Sequence, residues 1–438
     1  MSNTLPFKKS AFILLSMVLL FSTETMAIGS TQKDSIQTLM RQYQYGEALK
    51  LLNTALQAEP KNKDLLSNKA FVLKELYSYD QAIKTYTDAL ALDTTDQRLI
   101  TTLANTYKLA HDYPNAVRWF TKAQAMDSTN RYLRLEVATC KLLNDQYMDA
   151  IKAFVPLYKT DTLNTYILKS LGYSFNQLEK YDISIFFFQK SLKITPNDPD
   201  CVLSLSNLYL KQRHYREGIT ATNAYRQLDS TNQEVNSKNA YFYLLDKNYP
   251  EAISRFQKCI AAGDSTKFSY KNLGIAYYST NEYDKGKDYL ETAYALDPED
   301  ASTIHFLGIC CYRSFYKELG IKYLEEALKL YRPTEEKIAL VYQNYSEACR
   351  GWDKCPPEKK ISSTLRAYEL NPIDSSLALN LSYEYEHAKN WPKAIQYHEL
   401  YLNTLQIDES NPSQRFLKKR HELELDQLKK KLTTPATN

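Results

Sequence analysis

The chain has 438 residues and a net charge of +4, with 36 tyrosines but 10 glycines. The near-neutral balance argues against nucleic acid as the main partner, and the scarcity of glycine argues against a glycine-rich phosphate-binding loop. Its seven cysteines are an odd number, so at least one thiol is unpaired within the chain.

The segment 1–27 predicts a secretory signal peptide rather than a part of the fold. Lys8 and Lys9 give a basic start, Ala11–Phe21 is an uninterrupted run of mostly apolar side chains, and small residues up to Ala27 offer a cleavage site. The run is too short to span a membrane, and no later run approaches the required length. Removal of residues 1–27 leaves 53 basic and 50 acidic residues, a net charge of +3. We expect an exported protein, periplasmic or extracellular, that is not an integral membrane protein.

After this segment, eight tyrosines recur with a constant period of 34: Tyr45, Tyr79, Tyr113, Tyr147, Tyr181, Tyr215, Tyr249 and Tyr283. A small residue follows each tyrosine three positions later: Ala48, Ala82, Ala116, Ala150, Ser184, Gly218, Ala252 and Gly286. A second small series precedes the first by twelve positions and includes Gly172, Gly274 and Gly308. Because glycine in a helix costs about 0.5–1 kcal/mol relative to alanine, these glycines predict sites where two helices touch backbone to backbone.

Bulky residues stand four positions after most of the small residues, and Ala, Ser or Cys stands three positions further on. Spacings of four and three keep one face of one helix. Thr222 interrupts the bulky series once. Proline ends three of the units, where a helix must stop: Pro60, Pro196 and Pro298. Each 34-residue repeat is therefore predicted to form a helix, a short turn, a second helix and another turn.

One unit combines all of these positions in register: Tyr270, Leu273, Gly274, Tyr277, Gly286, Leu290, Ala293 and Pro298. The pattern resembles the tetratricopeptide repeat (TPR) and recurs over most of the chain. The resemblance implies an all-α fold: an α-α superhelix, or TPR solenoid, of about 11 helix-turn-helix repeats with the period of 34, plus a C-terminal capping helix. We assign residues 28–408 to the solenoid and 409–438 to the capping helix and a polar tail.

The spacing from Gly320 to Lys360 exceeds the period by six positions. The surplus lies near 350–357, where Pro356-Pro357 predicts an elongated turn. The final helix is predicted over Ser413–Leu432 and is rich in lysine and arginine. We interpret it as a solubilising cap, and a peripheral contact with an anionic envelope surface stays open.

No arrangement typical of an enzyme is present, so we predict a non-catalytic protein with no cofactor and no metal. The six histidines are scattered and show no ligand spacing with cysteine. In an oxidising compartment, Cys349 and Cys355 are candidates for a disulfide that closes the elongated turn. By the loop-entropy relation, closing this short loop would stabilise the folded protein by slightly less than ~3 kcal/mol. Cys310 or Cys311 could compete for Cys349, and Cys259 and Cys311 are expected to be buried thiols.

The TPR resemblance implies that the first helices line a concave groove. On repeats five to nine their exposed face mixes tyrosine, asparagine and leucine with a few cations, a composition suited to holding a peptide. We predict a peptide-binding groove made by Tyr166, Lys169, Tyr173, Asn176, Asn207, Tyr241, Lys271, Tyr278, His305, Tyr312 and Arg313.

These features predict a protein–protein interaction scaffold of the cell envelope that binds a peptide or protein segment in its groove. The alternative is a protein that binds a glycan or cell-wall polymer through the groove tyrosines. Neither the partner nor the oligomeric state can be read from the sequence.

Overall fold

The computed structural model describes residues 33–331, 337–408 and 410–433. The predicted signal peptide, residues 1–27, lies outside this range. The chain divides between Cys201 and Val202 into two compact units, here called unit 1 and unit 2. Every regular element among the described residues is a helix, which confirms the all-α class.

The first described helix of unit 1, α1, covers residues 33–41. Nine further helices follow in unit 1: α2 (Tyr45–Ala58), α3 (Lys63–Glu75), α4 (Tyr79–Leu92), α5 (Gln97–Leu109), α6 (Tyr113–Met126), α7 (Arg131–Leu143), α8 (Tyr147–Thr160), α9 (Thr165–Gln177) and α10 (Tyr181–Ile194). Helix α11 (Pro199–Gln212) contains the boundary between the units.

Twelve helices follow α11 in the described part of unit 2: α12 (Tyr215–Leu228), α13 (Gln233–Leu245), α14 (Tyr249–Ala261), α15 (Lys267–Ser279), α16 (Tyr283–Leu296), α17 (Ala301–Arg313), α18 (Lys317–Leu330), α19 (Lys337–Arg350), α20 (Pro357–Leu370), α21 (Ser375–His387), α22 (Trp391–Thr404) and α23 (Pro412–Thr433). The odd-numbered helices up to α21 are the first helices of the repeats. Each second helix from α2 to α16 begins at one of the eight periodic tyrosines.

The N-termini of the first helices follow a second register with the same period, which the sequence analysis missed. Asn62 caps α3 by accepting hydrogen bonds from the backbone N–H groups of Asp64 and Leu65. Side-chain oxygens at the equivalent positions also accept backbone N–H bonds: Asp96, Asn130, Asn164, Asp198, Asn232, Thr266 and Asp300. A cap of this kind stabilises a helix by about 1 kcal/mol, so this series fixes where each repeat starts.

In nine of the described repeats, the turn between the two helices places one residue in the left-handed region, with φ from 56° to 63°. None of these residues is glycine: they are Tyr43, Tyr77, His111, Asp145, Glu179, Arg213, Lys247, Asn281 and Lys389. A side chain in this conformation costs roughly 1–2 kcal/mol. The turns therefore retain strain that glycine would remove.

Replacing Lys247 by glycine should raise the free energy of unfolding by about 1 kcal/mol, because this exposed residue has a φ of 62°. The matched control is Lys84→Gly, inside α4, which should lower it by about 1 kcal/mol. Urea denaturation of the three proteins measures both changes. A loss of stability in Lys247→Gly would contradict the strain assigned to this turn.

The small residues predicted to allow close helix contact are buried, which confirms that part of the prediction. A Cβ atom added to Gly274 would lie 2.5 Å from Leu290 Cγ and 3.0 Å from the carbonyl oxygen of Gly286. One added to Gly286 would lie 3.2 Å from the carbonyl oxygen of Gly274. The two helices of this repeat therefore meet at backbone distance.

Thr222 interrupts the bulky series because a neighbouring ring fills the space. A Cβ atom on Gly218 would lie 2.2 Å from the ring of Phe242, which is fully buried. Thr222 is also buried, and its hydroxyl donates to the carbonyl oxygen of Gly218 at 2.6 Å while accepting from Asn239 Nδ2 at 2.7 Å. A small polar side chain therefore replaces the usual large apolar one here.

The elongated turn and the C-terminal helix occur where the sequence suggests. Helix α19 ends at Arg350 and α20 begins at Pro357. The last helix, Pro412–Thr433, packs against α22 and buries Leu428. The domain boundaries drawn from the sequence stay predictions.

Candidate functional site

Within each unit, first helices of successive repeats lie beside one another, and the surface that they form in that unit is here called its first-helix face. Contacts between such helices join α7 to α9 in unit 1, and α13 to α15, α15 to α17 and α17 to α19 in unit 2. All eleven residues predicted to bind a peptide lie on first helices. Their availability depends on what each side chain already contacts.

Two predicted tyrosines in unit 1 remain accessible. Tyr166 is 44% exposed, and its hydroxyl lies 2.9 Å from the Thr139 hydroxyl on the preceding first helix. Tyr173 is 45% exposed, with its ring edge-on to Tyr147. Asn176 is half-buried on the same helix. Part of each tyrosine ring is therefore free to contact a ligand.

The predicted lysines are paired within the protein. Lys169 Nζ lies 2.6 Å from Asp198, and Lys271 Nζ lies 2.9 Å from Asp300. Burial opposes ionisation of Asp300, but hydrogen bonds from Lys271 and Thr303 prevail and lower the pKa of its carboxyl to about 2. Both lysines therefore hold the N-cap residue of the next first helix instead of presenting a free charge.

The same kind of bridge also starts at or near the N-terminus of several first helices. Lys63 Nζ lies 3.0 Å from the carboxylates of both Asp93 and Asp96. Equivalent pairs at 2.6 Å join Arg131 to Asp161 and Lys267 to Asp297. The signal that could have revealed them is a basic residue with an aspartate 30 positions later.

In unit 2, Asn207 on α11 is exposed and accepts a hydrogen bond from Lys238 Nζ at 3.0 Å. Tyr241 is half-buried, with its ring 5.1 Å from that of Phe268. Burial also raises the pKa of the Tyr241 hydroxyl. These two residues are less available than their sequence positions suggested.

The remaining predicted aromatic residues, Tyr278 and Tyr312, also pack against side chains of the protein itself. The Tyr278 ring lies 5.3 Å from that of Phe306, and burial raises the pKa of Tyr278. Tyr312 is half-buried beneath the guanidinium of Arg313, whose carbon lies 5.2 Å from the ring centroid. Arg313 itself forms a 2.6 Å ion pair with Glu347.

His305 is 5% exposed and therefore belongs to the interior of unit 2 rather than to an open surface. Its Nε2 lies 2.9 Å from Asn344 Nδ2, and its ring lies edge-on to Tyr331. Burial, with a smaller contribution from the charge of Lys337, lowers the pKa of His305 to about 4. The imidazole is neutral at physiological pH.

A cavity of 610 Å³ lies on the first-helix face of unit 1, outside the repeats emphasised by the sequence analysis. It is lined mainly by α1, α3 and α5, the first helices of three successive repeats, with Met40 and Phe71 among its apolar residues. Tyr86 of the second helix α4 also lines it. Lys33 and Arg98 also line it, and within the described residues neither has an ion-pair partner. No motif marks the residues that line this cavity, so the helical periodicity of the first three repeats is the one sequence signal that could have indicated it.

All seven cysteines are buried free thiols in this structure. Cys349 and Cys355 belong to one apolar cluster. Burial, followed by hydrogen bonding with the Cys355 thiol, raises the pKa of Cys349. A disulfide between them on export stays a prediction.

None of the helices in the described part of the chain combines the length and the apolar character that a bilayer crossing requires.

Comparison with known families supplies the deciding observation. Models of the tetratricopeptide repeat match residues 39–105 in unit 1, and residues 170–198 and 269–300. This chain is a multi-repeat TPR protein. A TPR fold of this kind suggests a scaffold for protein–protein interaction, and TPR proteins are generally non-catalytic.

A curated relative is the Anaphase-promoting complex subunit 3 of Schizosaccharomyces pombe, 21% identical over 173 residues. That match covers 37% of this chain, and the chain spans 25% of the length of the relative. Two solved structures are also similar. The APC/C hetero-tetramer Cut9–Hcn1 has a TM-score of 0.42 at 16% identity, covering 90% of this chain and 83% of that chain. The C-terminal part of a TPR repeat-containing protein from Cytophaga hutchinsonii has a TM-score of 0.46 at 18% identity, covering 56% of this chain and 99% of that chain.

Proposed function

We propose that this TPR protein is an exported scaffold of the cell envelope that binds a segment of a partner protein against its first-helix face. The observation that supports this most directly is the cavity between α1, α3 and α5 in unit 1. A cavity that runs across several successive first helices suits an extended or helical peptide better than a compact small molecule. The export component of the proposal comes from residues 1–27.

The chemistry of the cavity indicates what kind of segment would bind. Apolar side chains such as Met40 and Phe71 can receive an apolar anchor residue. Within the described residues, Lys33, Arg98 and Asp64 line the cavity without an ion-pair partner, so the unpaired charge of the lining is net positive. This charge favours a segment that carries acidic groups beside that anchor. The predicted cations Lys169 and Lys271 can contribute little, since each already holds an aspartate.

The contacts of the groove tyrosines do not favour the glycan alternative. Sugar stacking needs a free ring face, whereas Tyr241 and Tyr278 pack against Phe268 and Phe306. The more accessible tyrosines of unit 1 each have one ring or hydroxyl contact already. A peptide remains the ligand that the geometry supports best.

Site-specific photocrosslinking in the producing cells tests the proposal. A photoreactive residue at Gln37 or Asn68, both lining the cavity, should give one discrete protein adduct recovered in the envelope fraction. The same residue at Asp88, exposed on the second helix α4, should give none. Adducts at all three positions, or at Asp88 alone, would place binding elsewhere.

A charge reversal then tests the role of the free cation. Arg98→Glu should reduce the adduct by about ten-fold or more, because arginine anchors commonly contribute about 2 kcal/mol to an interface. The matched control Lys122→Glu, exposed on α6, should leave it unchanged. Equal adduct yields for the two variants, with equal thermal stability, would remove the cavity from the proposal.

A further inference from the structure

Two histidines and a glutamate come together where the last helix meets the preceding helix pair. His398 on α22 is fully buried, His421 on α23 is 5% exposed, and Glu424 on α23 is half-buried. One ligand atom from each residue lies within 4.8 Å of those from the other two. In the described part of the chain, this is the one place where three such metal-ligating side chains meet.

Helix α23 has little apolar contact to hold it in place. Of its 22 residues, two are buried, and one of these is His421. The other, Leu428, packs with Leu381, Tyr385 and Ala394. A helix of this length held by one buried apolar side chain is expected to detach readily, since helices in proteins are stabilised mainly by packing.

Two of the three side chains, His398 and Glu424, are oriented by a second contact, as ligands of protein-bound metals usually are. Ser382 Oγ lies 3.1 Å from His398 Nδ1 and thereby leaves Nε2 facing α23, where it lies 3.0 Å from the carbonyl oxygen of His421. Glu424 accepts hydrogen bonds from Tyr383 at 3.1 Å and from Arg420 Nε at 3.0 Å.

We propose that His398, His421 and Glu424 form a zinc site that fastens α23 to α21 and α22. Two imidazoles and one carboxylate are a ligand set that zinc accepts, with water as a fourth ligand, whereas calcium and magnesium prefer oxygen alone. Ligands of one tetrahedral zinc stand roughly 3.3 Å apart. His421 Nδ1 and Glu424 Oε2 already lie 2.9 Å apart, so the larger movement required is that of His398. The proton on His421 Nδ1 must leave that nitrogen before it binds zinc, either by transfer to Nε2 of the same ring or by release to solvent.

Binding of zinc changes the hydrogen bonds of His398 in a defined way. Nε2 must leave the carbonyl oxygen of His421 and lose its proton, because only an unprotonated nitrogen binds a metal. Nδ1 then carries the ring proton and donates it to Ser382 Oγ, which can accept as readily as it donates. Both ring nitrogens of His398 therefore keep a partner after this exchange.

Metal-stripped full-length protein, titrated with zinc sulfate by calorimetry, tests the site. We expect one zinc per chain, a rise in Tm with zinc, and slower amide hydrogen exchange in α23. Glu424→Gln and His421→Asn should each weaken binding at least ten-fold and abolish both effects. The matched control Glu422→Gln, exposed on the same helix, should behave as the wild type.

Cobalt(II) in place of zinc separates this site from the cysteines. Nitrogen and oxygen ligands give visible d–d bands without the thiolate charge-transfer absorption that cysteine ligands would add. Circular dichroism checks the fold of Glu424→Gln. We expect this variant to be folded, because the substitution is conservative and the position is half-buried. Absence of zinc binding by the wild type, a thiolate band with cobalt, or unchanged binding in folded Glu424→Gln would each overturn the proposal.

Discussion

Gly320→Ala should lower the free energy of unfolding by about 3 kcal/mol, because backbone atoms obstruct the added methyl group. A Cβ atom at this position would lie 2.6 Å from the backbone nitrogen of Tyr312 and 2.8 Å from the carbonyl oxygen of Gly308. Both obstructing atoms belong to the backbone of α17, so no side-chain rotation relieves the clash. The helices would have to separate, and overpacking of this kind commonly costs about 1–3 kcal/mol or more.

Two other glycines of the chain provide graded controls for urea denaturation. At Gly172 the nearest atoms belong to the ring of Phe188, at 3.0 Å, and a ring can shift, so alanine there should cost about 1 kcal/mol. Gly46 is an exposed helical residue with nothing within 4 Å, so alanine should stabilise the protein by about 0.5–1 kcal/mol. Equal effects at Gly320 and Gly46 would show that backbone contact does not explain the small-residue series.

Acidification from pH 6.5 to pH 4 should destabilise unit 2 through His305 by about 3 kcal/mol. Burial lowers the pKa of this histidine to about 4 in the folded protein, against 6.5 when it is unfolded. Between these values the unfolded chain binds the proton and the folded chain does not, so stability rises with pH and falls on acidification. Each pH unit in this range changes the free energy of unfolding by about 1.4 kcal/mol.

The structure also gives a direct reason for the unfavourable protonation. Asn344 Nδ2 donates to His305 Nε2, and a proton on that nitrogen would abolish the bond inside the protein. His305→Gln has no titrating group and should lose this part of the pH dependence. Phe306→Leu, beside it, should lower stability while keeping the pH dependence. Urea denaturation at pH 4.5, 5.5 and 7 measures all three proteins. Parallel pH profiles for wild type and His305→Gln would contradict the assignment.

The fold could be predicted from the sequence because one physical requirement is repeated many times. The constant period places Ala48, Ala82 and their equivalents at the same buried contact, and each repetition adds evidence for the same pair of helices. The N-cap register beginning at Asn62 has the same period and is equally visible in the sequence. The structure adds that this register, as well as the core, sets the repeat boundaries.

The candidate site was harder to predict because a helical pattern shows which residues share a face but not which of them already have partners. Lys271 lies on the predicted face, yet it binds Asp300. His305 has the spacing of a surface residue, yet it is buried against Asn344. His398 and His421 stand on separate helices without any motif spacing, so their proximity could be seen only after folding. These outcomes depend on distances between helices, which periodicity leaves undetermined.

The ion pairs that join successive repeats affect which changes in repeat number the protein can tolerate during evolution. Lys63 binds Asp93, and loss of one repeat-length block after it would bring Asp127 to the same place, so the bridge could survive recombination. The same event after Arg131 would replace Asp161 by Thr195, and after Lys267 it would replace Asp297 by Tyr331. Unequal crossing-over is therefore expected to be tolerated better in the first repeats than in the later ones.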